Sequence, residues 1–263
     1  MKRGICKLCL KDADLCDSHY VSKAVYALLR ANGDQPIMMT ASFATLTDRQ
    51  VKKPLLCLDC EQRFSKHGEN YALSLVNRDD NIFKALELIN AAEPRQSADG
   101  FLTYFSKEAG IDNDQLAYFA VSTVWRGAIA SWNTSSRTAT GGLQLGKHEE
   151  SMRRYLLGEI AFPSDLIVRL MITIDLPSRI AVLFPWHSLI NPRLNVFSFL
   201  VRGLWFEVVA GDTFPAALQR TCCVRSPEGL LFVGDRGKDV VAFDKHFKKT
   251  ARIDNKLQSL VVT

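Results

Sequence analysis

Cys6-Lys7-Leu8-Cys9 and, 47 residues further on, Cys57-Leu58-Asp59-Cys60-Glu61-Gln62-Arg63-Phe64 decide how the first part of this chain folds. Each cysteine pair has a two-residue gap. That spacing lets two thiolates of one tight turn reach a single metal ion at about 2.3 Å, and two such turns complete a closed tetrahedral site. The separation between the pairs is longer than in short zinc fingers. Glu61 to Phe64 reads as the opening of a helix. The second pair therefore sits at a helix N-terminus, where partial positive charge favours thiolates. The set Cys6, Cys9, Cys57 and Cys60 is expected to hold one structural Zn2+.

Two other readings of the cysteines compete. Buried cysteine is a common small hydrophobe, but two pairs at ligand spacing among only seven cysteines argue against that. A disulfide framework is disfavoured by the odd cysteine count, the chain length and the lack of a signal-peptide pattern, and the same facts predict a reducing, cytoplasmic setting. A more local ligand set also exists in Cys6, Cys9, Cys16 and His19. It would leave Cys57 and Cys60 to find other partners, with His67 nearest, so the symmetric four-cysteine set is preferred.

Composition bounds the rest. A chain of 263 residues with 47% hydrophobic content can bury real cores and can hold two domains. The apolar runs at 166–176 and 180–186 are short and interrupted by Arg169, Asp175 and Pro177, so no membrane span is expected. The formal charge is +5. Four thiolates on one Zn2+ would reduce it to about +3, which permits an anionic partner without demanding one.

Along the chain, residues 1–10 read as an irregular start and 12–17 as a polar turn. Val21, Val25, Leu28 and Leu29 recur at helical spacing, with a stop at Asn32-Gly33-Asp34. Residues 37–47 suit a strand or hairpin arm. A helix starts at Cys60 with Phe64 inward and Gly68 as a bend or end, and another spans 81–92 with Ile82, Phe83, Leu86 and Ile89 on its apolar face. The stretch 92–100, with Pro94, Ser97 and Gly100, is the expected linker between a domain at 1–92 and one at 100–263. Beyond it, a long buried helix is predicted over 114–132, with Trp125 in the core and Arg126 reaching outward. Next come a Gly/Thr-rich stretch at 138–146 and a helix over 147–159. Strands are predicted at 166–174, 180–184, 195–201, 204–209, 221–224 (holding Cys222 and Cys223) and 230–233, with a hairpin turn at Arg202-Gly203. The class is α+β: an N-terminal zinc-stabilised domain, then helices and an antiparallel sheet.

The two pairs together, one knuckle early and one at a helix start, have the ligand layout of a treble clef. With Ser18-His19 and Leu55-Leu56-Cys57, they resemble the HNH-type, ββα-metal endonucleases, as a divergent zinc-binding bacterial member. The resemblance covers residues 1 to 75. It implies a metal-dependent phosphodiesterase in which His19 is the general base and a divalent ion such as Mg2+ or Mn2+ steadies the phosphate. Glu61 stands where the family carries a metal-binding His, and a carboxylate also suits Mg2+. Ser18 stands at a frequent ligand position. The Asn that orients the base has no counterpart among Gln50, Lys52 and Lys53. His67 and Glu69, on the same helical stretch as Glu61, are the remaining candidate ligands for the catalytic metal. Lys52, Lys53, Arg63 and Lys66 are candidate phosphate contacts on DNA or RNA.

Each of these residues also has an ordinary reading. His19 packs against the following helix, with Ser18 as its N-cap; Glu61 complements the helix dipole; the remaining polar residues form a solvated face. Two functional classes follow: a metal-dependent endonuclease, with bacterial defence as an analogy, or a non-catalytic zinc-stabilised module that binds nucleic acid or protein. In either, the C-terminal part is a candidate protein-binding or homo-oligomer surface.

Overall fold

The computed structural model describes residues 2–28, 37–39, 44–46, 50–76, 83–98, 101–132, 142–174, 182–191, 193–225 and 228–234. The expected stop at 32–34 and residues 138–141 of the Gly/Thr stretch lie outside them.

The chain opens with β1 (Lys2–Ile5) and β2 (Asp12–His19), an antiparallel hairpin whose turn carries the first cysteine pair. Both strands fall where an irregular start and a polar turn were expected. The acidic run of β2 hides its strand character: Leu15 and Ser18 are buried, while Asp12, Asp14 and Asp17 face water. After α1 (Lys23–Leu28), β3 (Ile37–Met39) pairs with β4 (Ala44–Leu46) as the expected hairpin. Then β5 (Lys52–Cys57) completes a three-stranded sheet in the order β1-β2-β5.

Pro54 lies opposite Asp17 in β5, and the ladder shifts register there. Proline brings no N–H to such a ladder. The buried Ser18 compensates locally: its Oγ accepts from the Leu56 amide at 3.2 Å. Ser18 is thus a strand residue, not the expected helix cap. It is Ser22 whose Oγ accepts from the Ala24 amide at the start of α1.

From Cys57 the chain runs as α2 (Leu58–Phe64), one π-helical segment (Ser65–Glu69) and α3 (Asn70–Leu75). Gly68 neither ends this helix nor bends it as a free hinge. It lies in the π segment, where a Cβ would sit 2.7 Å from the Phe119 amide nitrogen and 2.9 Å from the Gln115 carbonyl oxygen. Backbone packs on backbone at that point. The crossing partner is α5 (Asn113–Ala128), capped by Asp112, whose carboxylate accepts from the Gln115 amide at 3.1 Å.

Between them, α4 (Lys84–Asn90) precedes β6 (Gln96–Ala98) and β7 (Phe101–Phe105). The expected linker therefore contributes a strand to a sheet. Buried residues on both sides of it, from Cys6 to Val233, belong to one apolar cluster.

α6 (His148–Leu157) ends at Gly158, whose φ of 78° provides the left-handed C-terminal cap. The second sheet adds β8 (Leu166–Thr173), β9 (Val182–Asn191), β10 (Leu194–Val201), β11 (Leu204–Ala210) and β12 (Leu230–Gly234). Its described strands run β6-β7-β12-β8-β11-β10-β9, and the β12–β8 pair is parallel, not antiparallel as expected. Arg202 (φ 44°) and Gly203 (φ 89°) form the anticipated hairpin turn of β10–β11. The expected strand at 221–224 is instead a buried turn after α7 (Ala216–Gln219). Cys223 there donates its amide to the Val168 carbonyl.

Period-two alternation assigns the two sheet faces. Val168, Leu170, Phe197, Phe199, Phe206 and Val208 face the main core, where Phe119 of α5 meets Phe199 and Phe206 edge-on at 5.9 and 5.4 Å. Ile167, Leu194, Val196 and Val209 face a smaller cluster with Phe214 and Cys222. So α5 lies between the large sheet and the α2–α3 helix and is buried on nearly every side.

Gly68→Ala is expected to destabilise the protein by about 1–3 kcal/mol, because neither α5 backbone atom can yield without moving the helix. Urea unfolding followed by tryptophan fluorescence measures it. A midpoint equal to wild type would show that the crossing is looser than described.

Candidate metal centre

The two distant cysteine pairs meet. The Sγ atoms of Cys6, Cys9, Cys57 and Cys60 all lie within 4.8 Å of one another. Cys9 and Cys57 are 3.8 Å apart across the cluster, close to the edge, about 3.8 Å, of a tetrahedron with 2.3 Å metal–sulfur bonds. Among the described residues this is the group of acidic, histidine and cysteine side chains with such geometry. Cys16 is not part of it, so the local set with Cys16 and His19 is not the one assembled.

Local structure explains the convergence. The first pair occupies the turn of the β1–β2 hairpin, closed by Cys6 N–H to the Lys11 carbonyl and Leu10 N–H to the Cys6 carbonyl, both at 2.9 Å. Leu10 adopts φ 60° to complete it. The second pair sits where β5 passes into α2, and the Cys57 amide donates to Cys6 Sγ at 3.3 Å. Lys7 N–H binds the Leu55 carbonyl at 3.0 Å, tying one turn to the other. From α6, Arg153 donates to the Leu8 carbonyl at 2.8 Å.

The Cys6 thiol is held far below its ordinary value, first by a hydrogen bond from Cys60 and then by backbone amides, against the opposing effect of burial. Cys60 is pushed the other way, first by that same bond to Cys6. Four sulfurs this close share protons unless a cation replaces them, and a thiolate-binding divalent ion does so. The donor set fits Zn2+ with no open position.

His19 ends β2 opposite Lys52, half-buried, with Nε2 2.7 Å from Gln50 Oε1. With the Gln50 carbonyl oxygen accepting, Nε2 carries the proton and Nδ1 keeps its lone pair. Gln50, noted in the sequence only as a non-asparagine, is thus the group that orients this ring. Burial lowers the His19 pKa from 6.5; the Gln50 bond and the Glu61 charge oppose this, whereas Lys52 and Arg126 reinforce it.

Arg126 had no sequence reading beyond an outward-reaching arginine. It is instead 1% exposed. Its guanidinium lies over the Phe64 ring at 4.6 Å, with Nη1 2.6 Å from Glu69 and Nη2 3.6 Å from Glu61. Glu69 accepts a second bond from Ser65 at 3.3 Å. Glu61 Oε1 is buried with no donor.

The other candidates are more scattered. His67 is exposed, its ring 5.4 Å from that of Tyr118, and does not join Glu61 and Glu69 in a cluster. Lys52 pairs with Asp17 at 2.7 Å. Lys53 and Arg63 are half-buried, and Lys66 is exposed.

No helix among the described residues is long and apolar enough to cross a membrane. No family model, curated protein or solved structure matches this chain.

Two measurements check this site. Purified protein is expected to carry one Zn2+ per chain by elemental analysis, and Cys57→Ser to lose the metal together with the folded state of residues 1–75; folded wild type without metal would contradict it. The His19 ring should titrate below 6.5 by NMR. Its folded pKa is depressed, so the unfolded chain takes the proton first. Stability is thus complete above 6.5 and declines as pH falls through the folded value, and His19→Gln flattens that slope.

Proposed function

We propose that this protein is a divergent, zinc-stabilised endonuclease of the HNH type, cleaving phosphodiester bonds in DNA or RNA. The observation that carries the reading is His19, oriented by Gln50 at the end of the strand that leaves the first cysteine turn, with the Glu61 charge acting on the ring. The order of hairpin turn, strand, second turn and helix supports a treble-clef arrangement. In it Zn2+ is structural, because four thiolates leave it no site for substrate.

His19 supplies the base. Its proton rests on Nε2 against Gln50, so Nδ1 accepts the proton of a water attacking phosphorus, and Gln50 then steadies the imidazolium. A lowered pKa keeps the ring neutral, hence competent, at neutral pH. Glu61 Oε1, a buried carboxylate oxygen without a donor, is the atom that fits a divalent cation. Mg2+ or Mn2+ bound there would supply charge to offset that building on the phosphate oxygens. Lys53, Arg63 and Lys66 are the cations proposed to meet backbone phosphates.

A second reading, a non-catalytic zinc-stabilised binding module, is favoured by a separate observation. Glu69 is committed to a buried ion pair with Arg126, and no second metal-type cluster occurs among the described residues.

Wild type with Mg2+ or Mn2+ is expected to cut plasmid or single-stranded substrate. His19→Ala should lower the rate at least about 100-fold with zinc content unchanged. The acid limb of the rate profile should bend below pH 6.5, the direction set by the buried ring. Equal cleavage by both proteins removes His19 from the mechanism, and salt-sensitive binding without cleavage by either selects the second reading.

A further inference from the structure

The first cysteine turn is held from outside the N-terminal sheet. Arg153 of α6, 145 positions beyond Leu8, donates from Nη1 to the Leu8 carbonyl at 2.8 Å. That carbonyl and the Cys9 N–H belong to one planar peptide unit. The Cys9 amide is in turn one of those that, behind the Cys60 bond, lower the Cys6 thiol's pKa by bonding to its sulfur. Guanidinium, peptide and ligand sulfur thus form one chain of hydrogen bonds, and each bond polarises the next.

The guanidinium is itself fixed. Its Nε and Nη2 both donate to the Glu150 carboxylate, one helical turn earlier, at 2.7 Å each. Two edges of the planar fork grip the helix, and the remaining nitrogen serves the cysteine turn. The helix behind it is anchored at both ends. His148 Nδ1 lies 2.6 Å from Asp165 Oδ2, which also accepts from Ser151 at 2.9 Å, and Gly158 closes the C-terminus. Met152 and Leu156 of the same helix are wholly buried. Its neighbour Arg154 differs: it is exposed and pairs with Glu159 at 3.5 Å.

We propose that Arg153 is a positioning residue of the metal centre: its bond to the Leu8 carbonyl holds the Cys6–Cys9 turn in ligating geometry. Retention of the metal by the N-terminal hairpin therefore depends on α6, far along the chain. Groups behind metal ligands orient them and tune their basicity, and losing one typically costs about 10–100-fold in metal affinity. The proposal stands on the four-cysteine site and needs neither functional reading.

The test uses full-length protein loaded with Zn2+ or Co2+, as wild type, Arg153→Met, Arg153→Lys and, as a control, Arg154→Met. The rate of Zn2+ transfer to excess chelator is measured without denaturant, together with the visible d–d spectrum of the Co2+ form. Peptide mass spectrometry follows the order in which iodoacetamide alkylates the four cysteines. In wild type the part-exposed Cys9 and Cys57, one from each turn, should react first. Arg153→Met should release Zn2+ at least about tenfold faster, shift the Co2+ bands, and open Cys6 and Cys9 to alkylation before Cys57 and Cys60. Arg153→Lys should recover part of the rate, because one ammonium can reach the carbonyl but cannot also grip Glu150 as a fork. Arg154→Met should match wild type. A merely structural arginine would lower the urea midpoint and leave the Co2+ spectrum and the alkylation order unchanged. Where Arg153→Met does not fold, Arg153→Lys against wild type decides on the same measurements. Equal release rates with an unchanged Co2+ spectrum overturn the proposal. So does an Arg154→Met protein that loses metal as fast as Arg153→Met, or a wild type that binds neither metal.

Discussion

A guanidinium withdrawn from water is tolerable only where carboxylates meet it, and a partner removed from such a pair leaves an uncompensated charge costing about 3–5 kcal/mol. Arg126 imposes that constraint on this protein. It enters the core from α5, and the carboxylates it requires lie on the helix that begins at the second cysteine pair. The π-helical segment brings Glu69 inward at the place where Gly68 lets α5 approach to backbone contact. One wider turn of helix thus serves both packing and charge. Such π segments occur often at functional sites.

The four-cysteine cluster secures the other end of the same helix. Two hydrogen-bonded turns and a helix start converge on one point, and a bound cation would fix that convergence more firmly than hydrogen bonds alone. Between these two anchors, one of sulfur and one of charge, lies Glu61. Neither anchor is complete within the first 75 residues: Arg153 of α6 holds the first turn, and Arg126 of α5 holds the helix. The small N-terminal sheet and the large C-terminal one consequently share a core, as the apolar cluster from Cys6 to Val233 shows.

That shared core bears on the functional reading. A binding module needs only an exposed surface, whereas a hydrolytic site needs a base held at a fixed tautomer and a carboxylate held at a fixed place. In the endonuclease reading proposed above, those two needs fall to the His19–Gln50 contact and to Glu61.

The sequence by itself determined what local chemistry can encode. Two cysteine gaps named the four sulfurs that meet. The periodicity of 114–132 and 147–159 located helices. Alternating apolar residues with Arg202-Gly203 located the β10–β11 hairpin. The tertiary structure decided whatever depended on a distant partner. The acidic strand Asp12–His19 carries few apolar residues and exists because β1 and β5 pair with it on both sides. The stretch 92–100 has loop composition, yet β7 recruits Gln96–Ala98 as an edge strand. Cys222 and Cys223 read as strand residues but lie in a turn tied to β8 by the Cys223 amide on the Val168 carbonyl and by Arg225 on the Leu166 carbonyl. Arg126 read as a solvent-seeking side chain because its partners are 57 and 65 positions away in sequence. Gln50 likewise gained its role only when His19, 31 positions earlier, was brought to it. A sequence states which groups are present; charge pairing and ring orientation arise only after the fold has set the distances between them.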